Sequence, residues 1–569
     1  MSKRKINGVL VIYRHDYAPI ASMVMELVES FERHSRFKVW TVNTHLGFAE
    51  TLPNVEFAVI VLHYSLFGWR PFYLDDAFRS YLAECDSSYK VAFFQDEYRW
   101  WPERAEVLNR LSVDCVYTCI EPEWYQETYW KYTKVPRLET YIPGYVSADM
   151  VQCAQPLVRA DADRTIDIGY RGRRPFGYMG KGAREKHEIG VRFREMAAGR
   201  GLILDIESDE YKRIYGEEWL AFLANCRAVL GVEAGVSIFD IDDEIFPLYE
   251  RFQLKQPDRS FEAAYGELLE GYDGRGIYYR TVSPRVFEAA AVRTCQIMYE
   301  GKYSGILEPM VHYIPLKKDF SNFEEVMKLY EDQGVRRELT ENCHRDLIAS
   351  EAFSYRRFIE KFDEGLISVG LDPGIDEGTA RHVSELLAGC EQPRLRKYLD
   401  AQRGEHNKLF RKNMALEQQY MELQEEVAQL LATNPQMKAQ WIGIEQGGML
   451  EQQASTGEVP GLQTDALRRE EQPSLVKQVE AHQADYQALL NNQLALQQQY
   501  MGLQRLLSEF IDRHPTLKSR RLFVQASKIA SLLAKADFVA VRVYIGNVIS
   551  MYPRVHRLAK VIKTGLARN

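Results

Sequence analysis

The sequence lacks any long apolar run. No stretch reaches the roughly eighteen consecutive apolar residues that are typical of a transmembrane helix, so the chain of 569 residues is not expected to span a membrane. Its N-terminal apolar run, Gly8–Tyr13, follows basic residues but ends at Arg14 and is too short for a signal peptide. We therefore expect a cytoplasmic protein.

Cysteine is also scarce, with eight residues scattered along the chain. The closest pair, Cys115 and Cys119, lacks the C-x-x-C spacing of zinc and redox sites, which fits a reducing compartment. The hydrophobic content of 46% and the aromatic content of 12% are typical of a folded protein and exclude a disordered one. The length predicts three or four structural units.

Short apolar runs alternate with helical patterns in two successive regions of the chain. The first region, residues 1–150, predicts a Rossmann-like domain with a parallel sheet. A polar linker at 152–164 opens a second region, residues 151–375, which repeats this α/β pattern around an insert at 240–276. The expected fold class is α/β, with two Rossmann-like domains followed by a helical C-terminal region.

Heptad spacing appears after residue 385, from Leu409 to Leu430 and again from Leu475 to Phe510. The strings ALEQQYMELQ at 415 and ALQQQYMGLQ at 495 show that this region is duplicated. We expect coiled-coil helices over 385–515, joined by a flexible link at 434–472, and a homo-oligomer formed through them. Ordinary amphipathic helices of a bundle are the alternative.

The last segment, residues 516–569, is strongly basic. Eleven Lys/Arg and one Asp give it a charge of about +10, which leaves about −18 on the rest of a chain whose net charge is −8. Its cations and apolar residues alternate at helical spacing, which suits either an anionic membrane surface or an acidic protein partner. Nucleic acid is not expected, because no nucleic-acid-binding fold accompanies the charge.

Two segments of the second region carry residues suited to binding a phosphorylated ligand. Ligands of open α/β sheets bind outside the carboxyl ends of the strands, against helix N-termini. Glu288 opens a short apolar helix immediately before an apolar strand, and a glycine-containing basic loop follows the string TIDIGY. The cations of this loop and of the helix after it include Arg171, Arg173, Lys181 and Lys186. The structural alternatives are a solvated basic loop and a carboxylate that only stabilises a helix terminus.

The strings R-x-F-E-A around Glu288, Gly172-Arg173 and Lys181-Gly182 in the basic loop, and TYIPGYVSADM at 140–150 resemble GT-B glycosyltransferases. The resemblance covers roughly residues 5–370 and is to the spore-protein-like branch of the "glycosyl transferases group 1" family. It implies that Glu288 binds the ribose of a nucleotide sugar, and that an Arg and a Lys of the basic loop neutralise the leaving diphosphate without a metal. The first glutamate of the family's E-x7-E element falls on Arg280, which leaves retention or inversion of stereochemistry open.

Four further residues complete the predicted site. Arg285 is expected to contact phosphate or to pair with Glu288, and Glu233 to contact hydroxyl groups of the donor sugar. Asp96 and, second, His63 follow predicted strands of the first domain and are candidates for the base that activates an acceptor hydroxyl. The acidic run at 240–244 has the appearance of a metal-binding D-x-D, but a solvated loop is the default interpretation.

These patterns together predict a metal-independent, hexosyltransferase-type glycosyltransferase. It would act on a glycan or a lipid-linked acceptor in bacterial surface polysaccharide biosynthesis, with the nucleotide sugar as substrate and no separate cofactor. One alternative is a non-catalytic scaffold with a GT-B-like body that assembles partners through its coiled coil. Another is an epimerase that acts on the nucleotide sugar itself.

Overall fold

The computed structural model describes residues 3–15, 23–68, 70–208, 212–214, 216–256, 260–273, 276–387, 394 and 397. The predicted flexible link and the predicted basic tail lie outside these residues. The predicted coiled coil also lies outside them, except for its first residues. These three parts stay predictions. Within the described part, no helix combines the length and the apolar character needed to cross a bilayer.

The apolar runs of the first region form a six-stranded parallel sheet in the order β2-β1-β3-β4-β5-β6. Its strands are β1 (Arg4–Tyr13), β2 (Val39–Asn43), β3 (Val55–Leu62), β4 (Tyr89–Phe93), β5 (Cys115–Thr118) and β6 (Arg137–Thr140). The accompanying helices are α1 (Met23–His34), α2 (Asp76–Glu84) and α3 (Trp101–Arg110). Strands such as β3 are buried along almost their whole length, as expected for a parallel sheet covered on both faces.

The second region forms a five-stranded parallel sheet in the order β13-β12-β9-β7-β8. After α4 (Ala148–Ala154), its strands are β7 (Ile166–Arg171), β8 (Leu204–Glu207), β9 (Cys226–Gly231), β12 (Cys295–Tyr299) and β13 (Ile314–Leu316). Its helices include α5 (Gly180–Met196), α6 (Gly216–Asn225), α9 (Arg285–Ala291), α10 (Phe323–Glu331) and α11 (Gln333–His344). The predicted pair of parallel α/β sheets is therefore confirmed. We call the two sheets with their helices the first and the second lobe.

An insert separates β9 from β12 in the second lobe. It contains a two-stranded antiparallel ribbon, β10 (Ala234–Val236) with β11 (Tyr279–Thr281), and the helices α7 (Ile245–Lys255) and α8 (Phe261–Ala264). The insert reaches the first lobe, where the ring of Phe239 packs edge-on against Trp101 with 5.9 Å between the ring centroids.

The last long helix, α12 (Tyr355–Ser368), returns to the first lobe although it follows the second lobe in the sequence. Its buried aromatic residues Phe358 and Phe362 lie 5.8 and 5.7 Å from the ring of Tyr117 on β5. The predicted boundary at residue 375 groups this segment with the second domain. The structure differs because the apolar face of α12 covers the first sheet. The chain passes between the lobes twice, near Val146 and near Ser354, and a β-bridge joins these two residues.

Candidate functional site

The strand order of the second sheet reverses at β7, which neighbours both β8 and β9. In open α/β sheets, ligands bind in the crevice outside the carboxyl ends of the strands at such a switch point. A cavity of about 190 Å³ lies there, beside the last residues of β7 and β9. Because ligand pockets usually measure roughly 300 to 1,000 Å³, a ligand as large as a nucleotide sugar would extend out of this cavity.

One wall of the cavity is aromatic and apolar. Trp219 and Phe222 of α6 line it, and their rings stack with 5.5 Å between centroids. Val286 from α9 and Met298 from β12 complete this wall. Gly231, the last residue of β9, has no room for a side chain, because a Cβ atom there would lie 2.9 Å from the side chain of Met298. The guanidinium groups of Arg285 and Arg171 lie over the rings of Trp219 and Phe222, so this wall combines an apolar surface with cations.

Four of the predicted cations line the same cavity, namely Arg171, Arg173, Lys186 and Arg285. The Arg171 guanidinium donates to both carboxylate oxygens of Asp205 on β8, at 2.8 and 2.9 Å. Arg285 donates to the backbone carbonyl of Arg171 and lies over the ring of Trp219. The guanidinium groups of these two arginines thus already donate to oxygen atoms of the protein.

Arg173 and Lys186 differ from these two, because neither side chain forms a hydrogen bond or an ion pair with any residue that the structure describes. Arg173 is exposed, whereas Lys186 is half-buried on α5. Burial lowers the pKa of Lys186 to about 8, a change that the Asp96 carboxylate opposes and that the guanidinium groups of Arg280, Arg285 and Arg173 reinforce. The site therefore holds two cations that are not hydrogen-bonded to any carboxylate of the described residues.

Glu288 lies in the first turn of α9, as the sequence predicts, and the indole Nε1 of Trp219 donates to its carboxylate at 2.6 Å. Burial raises the pKa of Glu288, while the Trp219 hydrogen bond and the Arg285 charge lower it. Glu288 does not line the cavity directly but holds Trp219, which does. Sequence reasoning missed this partner, because a tryptophan on an apolar helix is typical of a core residue.

Lys181 and Glu233 do not join the other predicted residues. The Lys181 ammonium lies over the ring of Tyr265 at 4.2 Å, outside the residues that line the cavity. Glu233 is only 3% exposed, and its carboxylate accepts hydrogen bonds from the backbone amides of Lys302 and Tyr303 at 3.1 and 3.0 Å. We therefore find Glu233 fixing a loop, in contrast to the expected contact with a donor sugar.

Arg280 occupies the position where the E-x7-E element would have its first glutamate. It is 5% exposed and donates to the Glu185 carboxylate at 2.5 Å, with an oxygen of Glu233 at 3.8 Å. Lys318 also contacts Glu185, at 2.8 Å. The arginine thus neutralises two nearly buried carboxylates and forms an ion-pair cluster with them. A glutamate at this position would be repelled by both carboxylates.

Asp96 lies in the loop after β4, at the carboxyl edge of the first sheet. The residue is exposed and has a left-handed backbone with φ of 52°. Its charge acts on Lys186 of the second lobe and raises the pKa of that lysine. The candidate base and the candidate phosphate site thus come from different lobes.

His63, the second candidate base, is fully buried and lies immediately after β3. Its Nδ1 is 2.9 Å from the Ser65 hydroxyl and accepts from the Ser65 amide at 3.2 Å, whereas its Nε2 has no partner among the described residues. Because the Ser65 amide can only donate, Nδ1 is the acceptor and the other ring nitrogen carries the hydrogen. Burial lowers the pKa of His63 to about 3, which favours a neutral donor over a base.

The acidic run of the insert has structural contacts. The Asp240 carboxylate accepts from three backbone amides at the start of α7, and Asp243 forms an ion pair with Arg70 at 2.7 Å. In the described part of the chain, no group of three or more His, Cys, Asp or Glu side chains is arranged to hold a metal ion.

No family model matches the chain, and no curated protein is similar to it. Solved structures with some likeness include sucrose-phosphate synthase from Thermosynechococcus elongatus, with 13% identity, a TM-score of 0.37 and coverage of 64% of this chain and 99% of the other. Anabaena HepE, solved with UDP, has 9% identity and a TM-score of 0.37, covering 63% and 100%. A glycosyltransferase from Rickettsia africae has 9% identity and a TM-score of 0.36, covering 64% and 98%. At these values, the fold is assigned from the strand orders of this chain alone.

Proposed function

We propose that this chain is a GT-B-type glycosyltransferase that moves a sugar from a nucleotide-sugar donor to an acceptor hydroxyl. The observation that carries the proposal is the position of Arg173 and Lys186 at the switch point of a parallel sheet, where neither forms a hydrogen bond or an ion pair with a described residue. A half-buried ammonium without a carboxylate partner costs free energy. A nucleoside diphosphate would offset this cost, because its phosphates accept charge-assisted hydrogen bonds.

In the proposed complex, the nucleobase lies against the aromatic wall beside Trp219, and the diphosphate lies against Arg173 and Lys186. Glu288 is one helical turn from Arg285, where its carboxylate is suited to hydrogen-bond ribose hydroxyls at the start of α9. The predicted role of Glu288 thereby stays a proposal, with Trp219 as the residue that orients its carboxylate. Lys181 and Glu233 have no place in this arrangement.

The proposed reaction is a direct transfer between the lobes. The acceptor oxygen forms a bond to the anomeric carbon, the bond from that carbon to the phosphate oxygen breaks, and the nucleoside diphosphate leaves with the electron pair. Arg173 and Lys186 stabilise the charge that develops on the leaving phosphate. Asp96 of the first lobe, whose charge acts on Lys186, accepts the proton of the acceptor hydroxyl. In this scheme Arg173 and Lys186 balance the charge of the leaving diphosphate, so no metal ion is required.

The acceptor and the setting are proposals of the same kind. A glycan or a lipid-linked acceptor would enter on the side of the first lobe, and the setting would be the assembly of a bacterial surface polysaccharide. The basic segment 516–569 would bring the enzyme to an anionic membrane or to an acidic partner, and the heptads would make it a homo-oligomer.

The test combines calorimetry with a panel of nucleotides and turnover of the corresponding nucleotide sugars. Arg173→Ala and Glu288→Ala should each abolish turnover and leave the circular dichroism spectrum unchanged. Arg174→Ala is the matched control, because Arg174 is the exposed neighbour of Arg173 and does not line the cavity. Full activity of both site variants would contradict the proposed site.

The same assays separate the two alternatives. A non-catalytic scaffold would bind none of the nucleotides. An epimerase would convert the nucleotide sugar without any added acceptor.

A further inference from the structure

The loop that carries Asp96 is held in an unusual backbone conformation. Asp96 and Trp100 have φ of 52° and 55°, in the left-handed region that non-glycine residues rarely adopt. Such a conformation persists only where surrounding contacts determine it. The contacts that hold this loop therefore decide where the Asp96 carboxylate lies.

Several of these contacts come from the second lobe. The Asp240 amide donates to the carbonyl of Tyr98 at 3.0 Å, and the amide of Glu97 donates to the Tyr279 hydroxyl at 3.3 Å. The Arg99 guanidinium donates to the Tyr178 hydroxyl at 2.9 Å. These bonds hold the loop from outside the first lobe.

The anchor within the first lobe is the carboxylate of Glu97, the residue after Asp96. Glu97 is fully buried. One carboxylate oxygen accepts from the Thr118 hydroxyl at 2.9 Å and the Cys119 amide at 3.0 Å, and the other accepts from the Thr118 hydroxyl at 2.7 Å and the Tyr129 hydroxyl at 2.5 Å. The loop is thus fastened to the end of β5 and to the segment that follows it.

We propose that Glu97 is a positioning residue that holds the Asp96 carboxylate at the cleft, and that it does so only as the carboxylate anion. The expected effect on kcat rests on the proposed function, whereas the expected effect on the loop does not. All three partners of the carboxylate are donors in this arrangement, and the Cys119 amide has no capacity to accept. A proton on Glu97 could be donated only to the Thr118 or the Tyr129 hydroxyl, each of which donates to the carboxylate in this arrangement, so protonation would reverse or remove one charge-assisted bond and weaken the anchor of the loop.

The surroundings place this change near neutral pH. Burial raises the pKa of Glu97 to about 7, against hydrogen bonds from Tyr129, Thr118 and Cys119 and the charge of Arg104. Among the described residues, the other titratable groups that interact electrostatically with Glu97 are Tyr125, Tyr141 and Tyr279. The fraction of anionic Glu97, and with it the fraction of correctly placed Asp96, should rise as the pH rises through about 7.

The test uses the full chain with Glu97→Gln, which keeps the shape and removes the titration. Asp363→Asn is the matched control, since Asp363 is another fully buried carboxylate of the first lobe, hydrogen-bonded to Ser35 and the Arg36 amide far from the cleft. Glu97→Gln should lower kcat by about 100-fold, the effect expected of a catalytic group displaced by about 1 Å. It should leave the affinity for UDP unchanged and flatten the rise of kcat with pH around neutrality. Asp363→Asn should keep both kcat and the pH profile.

Amide hydrogen exchange of residues 94–100 is the measurement that does not depend on turnover. After correction for intrinsic rates, exchange in the unmodified protein should be faster below pH 7 than above it, and fast at both values in Glu97→Gln. If Glu97→Gln does not fold, Tyr129→Phe removes one donor and should produce a smaller change of the same sign. Exchange that is unaffected by pH and by these variants would overturn the proposal, even if no nucleotide sugar is turned over.

Discussion

Replacing Lys186 by Met isolates the half-buried cation of the cavity. Methionine keeps most of the length and the apolar contacts of lysine but removes its charge. A hydrogen bond between charged partners contributes about 1.5 to 3 kcal/mol, which corresponds to a loss of affinity for UDP of roughly 10- to 150-fold. We expect turnover to fall further, because the leaving phosphate carries more charge in the transition state than in the bound donor.

The pH dependence follows from the lowered pKa of Lys186, which is about 8 in the free protein compared with 10.5 for an ordinary lysine. Below pH 8 the ammonium is already charged and binds the diphosphate at no extra cost. Above pH 8 the neutral amine must first take up a proton, so the affinity should fall by up to about tenfold for each further pH unit. The arginines of the cavity do not titrate in this range, so Lys186→Met should lack this dependence.

Isothermal titration calorimetry with UDP on either side of pH 8 measures both effects. Lys181→Met is the matched control, because the Lys181 ammonium lies over Tyr265 and away from the cavity. The control should bind like the unmodified protein and keep the pH dependence. If Lys186→Met binds UDP as tightly as the control, or shows the same loss of affinity above pH 8, the assignment of the cavity as a diphosphate site is refuted.

Three further variants test other parts of the site. Asp96→Asn should lower kcat by about 10²- to 10⁴-fold without changing the affinity for UDP, as expected of a general base; unchanged kcat would exclude this role. Arg171→Ala should lower the free energy of unfolding by about 2 kcal/mol, because it removes the paired bonds to Asp205, and a thermal melt that matches the unmodified protein would show that this pair is not stabilising. Arg280→Glu, which restores the family pattern, should destabilise the fold by about 3 to 5 kcal/mol by placing a third carboxylate beside two nearly buried ones; a stable protein would show that the cluster rearranges.

The two sheets are predictable because their strands are short, apolar and separated by helical patterns. Strands buried on both faces need continuous apolar runs, and β3 and β12 have them. The return of α12 to the first lobe was not predictable in this way. Amphipathic spacing shows that a helix has an apolar face, but Phe358 and Phe362 carry no information about which of two sheets that face covers.

The residues of the basic loop show a similar limit. Arg173 and Lys186 reach the cavity, whereas Lys181, on the same helix as Lys186, turns toward the insert and Tyr265. Neither composition nor spacing distinguishes these directions, because the insert and the helix are distant in the sequence and come into contact only in the folded protein. The sequence suggests that Glu233 is a strand-end carboxylate available to a ligand, but two backbone amides of the loop after β12 donate to it.

The chain leaves the first lobe near Val146 and returns to it near Ser354, and these two residues lie side by side. The second lobe is therefore an insertion into the first. The amide of Val146 donates to the carbonyl of Phe353 at 2.8 Å, and the amide of Tyr355 donates to the carbonyl of Val146 at 3.0 Å. A fragment cut near residue 150 would leave Phe93 and Tyr117 without the aromatic cover of α12 and should aggregate. A short splice from the vicinity of Val146 to that of Ser354 would instead excise the second lobe and keep the core of the first lobe whole.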